Sequence, residues 1–389
     1  MGSIVPSLPG EDRTMLKKAG ILVAMLSWMV LFTLPAAGAQ PVKVAAIFSL
    51  TGIAAAHNAP LVAVTQLAVD EVNQNGGLLG RPVALTLLDN QSTPLGSKMA
   101  AEQAVRLGAI AVIGAHWSSH SLAMAPILQQ AGIPMISPGS TNPQVTQVGD
   151  YIFRACFVDS FQGRAMANFA YNDLKARTAA VFRNIDETYS VTLADYFVKS
   201  FRDHGGEVIT DVAYRGKAVD FSDILRPAAL RKAQVLYVPG YTRDSGLLIK
   251  QAVAMGIRAT FLGGDAWDEI WKVAGTALEG SYQTAAWHPD VPFPRSIHLK
   301  KIFQRQFGSD IQNVSAPLAY DAVMLLADAV RRAGSLQGEK LRDALSSTAG
   351  FNGATGVISF NGQGDPLGKD VIILQWHQGK AEYVKSIKP

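Results

Sequence analysis

The sequence has a single cysteine, Cys156, among 389 residues, so no disulfide within the chain stabilises it. Cys156 lies in the apolar stretch 151–157, which favours a buried thiol over a reactive one. Charged residues are also few, at 17% of the chain with a net charge of +4, and the basic ones are scattered. This distribution argues against binding to nucleic acid or to an anionic membrane surface.

Common catalytic motifs are missing as well. No Gly-Lys pair is followed by Ser or Thr, which excludes a Walker-type phosphate loop, and the helical zinc-protease motif and the Gly-x-Ser-x-Gly elbow are absent. His116 and His120 have the spacing of a metal pair on one helix face, but Ser118 and Ser119 between them indicate a helix start. We therefore predict a protein that is not an enzyme and that has no cofactor and no metal site.

The longest apolar run is confined to the start of the chain. The apolar segment 19–34 follows two lysines and precedes the small residues Ala37-Gly38-Ala39, a pattern typical of an export signal and short for a membrane anchor. Because Gln40 and not cysteine follows Ala39, we expect no lipid at the processed terminus. The sequence predicts a signal peptide over residues 1–39, cleaved near Ala39, and a periplasmic protein.

From residue 42 onward, short β-branched apolar runs alternate with longer segments of helical spacing. This alternation predicts an α/β protein with parallel-dominated sheets that carry helices on both faces. With 48% hydrophobic residues and this length, two domains are expected. The predicted strands are 42–50, 83–89, 109–114, 134–137, 179–183, 207–214, 234–239 and 260–263, followed by a final hairpin of 371–377 and 381–385. The predicted helices are 61–75, 96–107, 119–130, 189–204, 221–231, 244–255, 295–307, 316–333 and 337–346.

Polar side chains cluster where predicted strands end and helices begin, which is where open parallel sheets bind ligands. Ser118 and Thr141 follow two such strands, and at a helix N-terminus they either bind a carboxylate or simply cap the helix. Asp265 follows a strand of the second series and either receives a ligand nitrogen or acts as a helix cap. Tyr189 and Tyr241 occupy similar positions, either against a ligand or in the packing.

Several segments together resemble the periplasmic substrate-binding proteins of ABC importers for branched-chain and other hydrophobic amino acids and amides. The resemblance covers residues 42–389, and its order and spacing are more telling than any one motif. The segments are Asn75-Gly76-Gly77-Leu78-Leu79-Gly80-Arg81, Val112-Ile113-Gly114 with Ser118-Ser119, Ser137-Pro138-Gly139-Ser140-Thr141-Asn142-Pro143, Ala319-Tyr320-Asp321-Ala322, Gly353-Ala354-Thr355-Gly356, Ile358-Ser359-Phe360 and Gly364-Asp365.

The resemblance implies a type I periplasmic binding fold, with two similar lobes that are joined by three hinge crossings and close around a ligand. Lobe 1 then comprises residues 40–157 and 289–369, and lobe 2 comprises 158–288 and 370–389. The implied function is an extracytoplasmic receptor that delivers a small amino acid or a related ligand to a membrane permease and its ATPase. A ligand sensor of the same fold that regulates a signalling partner is the alternative.

The resemblance also implies roles for individual residues. The loop positions that match the family's carboxylate site are Ser118, Gly139 and Thr141, and Ser140 between the last two is also predicted to bind the ligand. Asp265 matches the acidic residue for the α-ammonium, Tyr189 and Tyr241 match aromatics that close over the ligand, and His57 and Trp117 shape its side-chain end. The family's amino-acid receptors have glutamate where Asp265 stands, so an amide, urea-like or aromatic acid ligand remains an alternative.

Overall fold

The computed structural model describes residues 1–2, 40–360 and 362–389. The predicted signal peptide, apart from Met1 and Gly2, lies outside the described residues. Chain contacts separate Met1–Gln40 from Pro41–Pro389, and every element named below belongs to the second unit. None of the helices in the described part of the chain is long and apolar enough to cross a membrane.

A five-stranded sheet comes first in the chain, with strand order β2-β1-β3-β4-β5 and parallel pairing throughout. Val44 and Ala46 in the interior strand Val42–Phe48 face one apolar cluster, whereas Ala45 and Ile47 face another, so both faces of the sheet are buried. Its strands are β1 (Val42–Phe48), β2 (Val83–Asp89), β3 (Val112–Gly114), β4 (Met135–Ser137) and β5 (Ile152–Arg154), with helices α1 (Ala55–Gln74), α2 (Pro94–Arg106) and α3 (Ser118–Ala131) between them.

A seven-stranded sheet follows, in the order β14-β13-β10-β9-β8-β6-β7. Its strands are parallel from β7 to β10, and β13 and β14 are antiparallel. The strands are β6 (Thr178–Asn184), β7 (Glu207–Tyr214), β8 (Val235–Tyr237), β9 (Thr260–Gly263) and β10 (Tyr282–Ala285), then β11 (Phe351–Gly353) and β12 (Gly356–Ile358) as a separate pair, then β13 (Val371–His377) and β14 (Lys380–Ile387).

The remaining helices cover the sheets. They are α4 (Asp159–Asn168), α5 (Thr188–Asp203), α6 (Ser222–Leu225), α7 (Thr242–Ala254), α8 (Trp271–Ala274), α9 (Pro294–Phe307), α10 (Ala316–Ala333) and α11 (Gly338–Ser346). Short 3-10 helices span Pro143–Val148, Ala228–Lys232 and Gly275–Leu278, and a π-helical turn spans Phe169–Asp173. The predicted α/β class with parallel-dominated sheets is confirmed.

Two helix predictions differ from the structure, and proline is involved in both. The predicted helix 221–231 is wrong, because Pro227 has an extended ψ of 130° and separates the short helix α6 from the 3-10 helix Ala228–Lys232. Proline also has no backbone N–H with which to continue a helix. Helix α1 begins at Ala55, six residues before its predicted start, and includes Pro60. A proline so near the helix N-terminus removes a single helical hydrogen bond. Because the helix starts at Ala55, His57 lies in its first turn.

The final hairpin is close to its prediction. His377 pairs with Lys380, which leaves Gln378 and Gly379 as a two-residue turn. Both have positive φ, 50° and 77°, as a type I′ turn requires. The predicted loop 378–380 is therefore one residue too long.

Two of the motifs quoted above meet in the core. The carboxylate of Asp321 in α10 is buried and accepts hydrogen bonds from the backbone N–H groups of Ala354 (2.6 Å) and Thr355 (2.9 Å). Lys369, also buried, donates to the Thr355 hydroxyl at 2.6 Å, so the carboxylate and the ammonium share one hydrogen-bonded partner. This network attaches the segment of β11 and β12 to α10.

Candidate functional site

The carboxyl ends of the parallel strands in the two sheets carry the predicted site residues. Trp117 and Ser118 follow β3, and Thr141 follows β4. In the second sheet Tyr241 follows β8 and Asp265 follows β9. All five are buried, although they lie in loops or at helix starts, where solvent exposure is the usual condition. Their burial indicates that the strand-end loops of the two sheets pack against one another.

A buried arginine binds the backbone of the loop after β4. Arg154 in β5 donates to the backbone carbonyl groups of Ser140 and Asn142, to the latter at 2.9 Å, and its Nε lies 2.7 Å from Asp365. Thr141 lies between those two carbonyl groups in sequence, and its buried hydroxyl has no hydrogen-bond partner in the protein. The loop therefore presents a free hydroxyl from a rigid backbone.

Ser118 is the first residue of the fourteen-residue helix α3, directly after the cap residue Trp117, and it does not cap the helix through its side chain. Its hydroxyl accepts a hydrogen bond from the backbone N–H of Asn142 at 3.3 Å, so the loops after β3 and β4 are joined. The N-terminal N–H groups of a helix favour a negatively charged group nearby. Ser118 and Thr141 thus lie at positions suited to an anion.

Gly139 and Ser140 support this arrangement in different ways. A Cβ on Gly139 would lie 2.3 Å from the ring of His116, so only glycine allows that ring to lie against the loop. The hydroxyl of Ser140 lies 2.7 Å from that of Ser121 and donates to the carbonyl of His116 at 3.0 Å. The Ser140 side chain is therefore occupied within the protein.

Asp265 accepts two hydrogen bonds through one oxygen, from Tyr189 Oη at 2.9 Å and from Gln162 Nε2 at 2.8 Å. Burial raises the pKa of Asp265 to about 6, although these two hydrogen bonds act in the opposite direction. No basic side chain appears among the hydrogen-bond and ion-pair partners of this carboxylate. Such a site is suited to a cation that comes from a ligand.

A second buried carboxylate lies close to the first. Asp159 begins α4, its backbone N–H donates to the carbonyl of Thr141 at 2.9 Å, and its side-chain oxygens have no close hydrogen-bond partner in the protein. Burial, followed by repulsion from Asp265, raises the pKa of Asp159 well above its usual range, although the nearby Thr141 hydroxyl and the charge of Arg154 act in the opposite direction. Sequence reasoning missed Asp159 and Gln162 because helix α4 was not predicted. The available signal was an acidic residue, Asp159, close to the predicted lobe boundary at 157/158.

Aromatic rings connect the two sets of loops. The indole of Trp117 stacks on the ring of Tyr241 with centroids 3.7 Å apart and an angle of 11° between the planes, and Tyr189 lies next, 5.3 Å from Tyr241. Parallel stacking at this distance contributes beyond the area it buries. The three predicted aromatic residues therefore lie in one stack, with Trp117 from the first sheet and the tyrosines from the second.

Polar contacts join the same two faces. The Ser119 hydroxyl donates to Glu187 at 2.9 Å, and Asn142 Nδ2 donates to the Thr192 hydroxyl at 3.0 Å. Burial raises the pKa of Glu187 to about 7. With the aromatic stack, these contacts describe a closed arrangement of the two sets of strand-end loops.

One end of the site is lined by imidazole rings. The ring centroids of His57 and His116 are 5.3 Å apart, and His57 Nε2 lies 3.3 Å from Asp268 Oδ2. Burial lowers the pKa of His57 to about 4 and that of His116 well below its usual range, so both rings are neutral at pH 7. His120 points elsewhere, with Nδ1 3.2 Å from Asn90 Nδ2, as the predicted helix start between His116 and His120 implies.

A protein-family model described as "Periplasmic binding protein" matches residues 41–381. The chain belongs to the periplasmic binding protein family. This result confirms the resemblance drawn from the sequence motifs and the prediction that the protein binds a substrate and is not an enzyme. It also agrees with an extracytoplasmic location.

Similar proteins within the family bind amino acids. The chain is 29% identical over 337 residues to Leu/Ile/Val-binding protein homolog 1 of Brucella suis, covering 85% of this chain and 89% of the relative. It is 28% identical to the leucine-, isoleucine-, valine-, threonine- and alanine-binding protein of Pseudomonas aeruginosa, covering 87% and 91%. Both sequence matches place the chain among the leucine-binding-protein-like members of the family.

Solved structures agree with that placement. The leucine-binding protein LivK of Thermotoga maritima superposes with a TM-score of 0.84 at 34% identity, covering 90% of this chain and 99% of that one. The branched-chain amino acid transporter substrate-binding protein LivJ of Streptococcus pneumoniae, in complex with isoleucine, gives a TM-score of 0.84 at 27% identity, with 90% and 100% covered. The fold is that of a type I periplasmic binding protein.

Proposed function

We propose that this protein is the substrate-binding receptor of an ABC importer and that it binds a small zwitterion, an amino acid or a close relative, between the carboxyl ends of its two sheets. The observation that carries the proposal is the division of polar groups across the site. The loop after β4 offers the buried hydroxyl of Thr141 near the N-terminus of α3, and the loop after β9 offers the buried carboxylate of Asp265, whose hydrogen-bond partners include no basic side chain.

The ligand's α-carboxylate is assigned to the first-sheet loops. The free hydroxyl of Thr141 and the N-terminal N–H groups of α3 at Ser118 offer hydrogen bonds to an anion without a basic side chain. Gly139 contributes its backbone where a side chain would displace His116. Ser140 contributes by fixing the loop, since its hydroxyl is already bonded to protein groups.

The ligand's ammonium group is assigned to Asp265 and Asp159. Each is buried, and an ionised buried carboxylate is costly unless a cation or several hydrogen bonds compensate for its lost hydration. The two carboxylate oxygens of Asp159 and the amide oxygen Oε1 of Gln162, which have no close hydrogen-bond partner in the protein, supply further acceptors. The shorter arm of Asp265, compared with the family's glutamate, is thus supplemented by a second carboxylate.

Two lobes that move about the chain crossings complete the proposal. Lobe 1 (residues 40–157 and 289–369) contains the first sheet, and lobe 2 (158–288 and 370–389) contains the second. Trp117 and Tyr241, one from each lobe, close over the ligand as their stacking supports. A ligand that contacts both lobes favours the closed state over the open one, and the permease with its ATPase recognises the closed state.

A binding screen tests the proposal. Mature protein, residues 40–389, is screened by thermal shift against amino acids, their amides, urea and benzoate-like acids, and the hits are measured by calorimetry. Stabilisation by zwitterions supports both assignments. Stabilisation by acids or amides alone agrees with a receptor function but contradicts the role of Asp265 in binding an ammonium group. No stabilisation by any of these compounds contradicts the proposal.

Transport is tested separately from binding. Deletion of the gene in its host should reduce uptake of the radiolabelled hit, and a plasmid copy should restore it. Unchanged uptake in the deletion strain, with binding intact in vitro, would favour a ligand sensor of the same fold.

A further inference from the structure

We propose that His57, His116 and Asp268 form a binding site for a divalent transition-metal ion, for which Zn²⁺ is the probe. The sequence predicted no metal site, and the His116 and His120 pair that it singled out does not form one. The proposed site does not depend on the amino-acid receptor function.

The three side chains come from separate segments that the fold brings together. His57 lies in the first turn of α1, His116 in the loop after β3, and Asp268 in the loop after β9. One donor atom from each lies within 4.8 Å of those from the other two. A bound Zn²⁺, with metal-to-ligand distances of about 2.0–2.2 Å, holds its ligand atoms closer together than that limit. The side chains would therefore move toward one another when the ion binds.

The donor atoms of these three residues make no hydrogen bond within the protein. His116 Nδ1 and Asp268 Oδ1 are buried and unpaired, and His57 Nε2 has only the neighbouring Asp268 Oδ2 at 3.3 Å. Three unpaired buried polar atoms at one place are unusual in a native fold, and a single cation satisfies all three together. Two imidazoles and one carboxylate are also a ligand set that Zn²⁺ accepts.

The surroundings hold these side chains in position. The Ser315 hydroxyl donates to Asp268 Oδ2 at 2.9 Å, which orients the carboxylate and leaves Oδ1 free. Gly139 allows the His116 ring to pack against the loop after β4. Such supporting contacts raise metal affinity by fixing ligand orientation. Asp268 also lines a surface recess of about 380 Å³, which offers an ion a route from solvent.

Three protein ligands leave a coordination position for water or for a group of the bound ligand. A metal here would also connect the first-sheet residues His57 and His116 to the second-sheet residue Asp268. The ion would therefore stabilise the closed arrangement, in the way that any ligand bound to both faces does.

Calorimetry on protein freed of metal with a chelator tests the site, with ZnCl₂ as the titrant and no amino acid present. The expected result is one Zn²⁺ per chain, with binding weakened more than tenfold in His116→Ala and in Asp268→Asn. His298→Ala is the matched control, because His298 is a half-exposed histidine 3.2 Å from Glu71, and it should bind Zn²⁺ as the wild type does.

Cobalt provides a second readout that does not depend on affinity. Co²⁺ in a tetrahedral site gives strong visible absorption, which should appear in the wild type and disappear in His57→Gln, with circular dichroism confirming that the variant is folded. Failure to bind one Zn²⁺, or equal binding by wild type and all three ligand variants, overturns the proposal. Amino-acid titrations of the same samples separate this failure from failure of the receptor function.

Discussion

The loops of the first sheet and those of the second sheet carry opposite chemistry at the same site. The first-sheet loops offer hydroxyls and a helix N-terminus, with Thr141 unpaired, and the second-sheet loops offer Asp265 together with Tyr189 and Tyr241. Because the hydrogen-bond donors lie in the first-sheet loops and the Asp265 carboxylate follows a second-sheet strand, we expect a ligand with an anionic and a cationic end to pair with both. In the proposed function, such a ligand would also favour closure.

The largest expected effect comes from removing the charge on the second-sheet side. Asp265→Asn keeps the size of the side chain and leaves an oxygen to accept from Tyr189, but it removes the ionic partner of the ligand's ammonium. We expect about a 10- to 150-fold loss of affinity for a zwitterion, because a hydrogen bond to a charged group contributes about 1.5–3 kcal/mol.

Calorimetry on the wild type and three variants measures this effect. The exposed Asp310→Asn is the matched control and should bind normally. Asp159→Asn should weaken binding, as Asp265→Asn does. Unchanged affinity in both Asp265→Asn and Asp159→Asn would show that neither carboxylate receives a cation.

The pH dependence of binding sharpens the same assignment. Burial raises the pKa of Asp265 to about 6, and an ammonium group binds the ionised form, so affinity is full above pH 7 and falls as the pH drops through 6. A fall of about tenfold from pH 7 to pH 5 is expected, since ionisation declines about tenfold per unit below the pKa.

The free protein should respond in the opposite direction. An acid whose pKa is raised in the folded state destabilises that state as the pH rises from about 4 to 6, because the unfolded chain ionises first. Calorimetric titrations at several pH values, in buffer with a chelator, measure the binding effect, and Asp265→Asn should show a flatter profile. The raised pKa of Asp159 accounts for any pH dependence that remains in Asp265→Asn. A pH profile of Asp265→Asn identical to that of the wild type contradicts the ammonium role of Asp265.

A smaller effect is expected on the first-sheet side. Thr141→Val keeps the side-chain shape but removes the unpaired hydroxyl, at a cost of about 0.5–1.5 kcal/mol for one neutral hydrogen bond. Affinity for a carboxylate ligand should fall about two- to tenfold, with little change in thermal stability of the free protein. Thr210→Val in β7 is the control, and equal affinities of the two variants would place the carboxylate elsewhere.

The smallest effect should follow Tyr189→Phe, which removes one of two hydrogen bonds to Asp265 while Gln162 retains the other. Loss of that bond should weaken ligand binding about two- to threefold and shift the inflection of the pH profile upward, because the hydroxyl stabilises the ionised carboxylate. Calorimetry across pH tests both. A downward shift of the inflection would contradict the role given to the hydroxyl.

Much of the fold follows from local pattern. Strands such as β2 and β9 and the helix α10 have the predicted bounds, since apolar period and breaker residues define them. Helix α4 and strands β5 and β10 were missed, because their short segments carry no periodicity that separates them from loops. The site residues Asp159 and Gln162 were lost with α4.

The sequence by itself determined the α/β class, the helix-start position of Ser118 and the positions of Thr141 and Asp265 after strands, because each depends on neighbours a few residues away. Only the tertiary structure decided which polar groups share the site. Asp159 lies 106 positions before Asp265 in the sequence, and His57, His116 and Asp268 are also far apart in the sequence. Their burial and missing partners arise from packing between distant segments, and that packing sets both their pKa values and their capacity to bind.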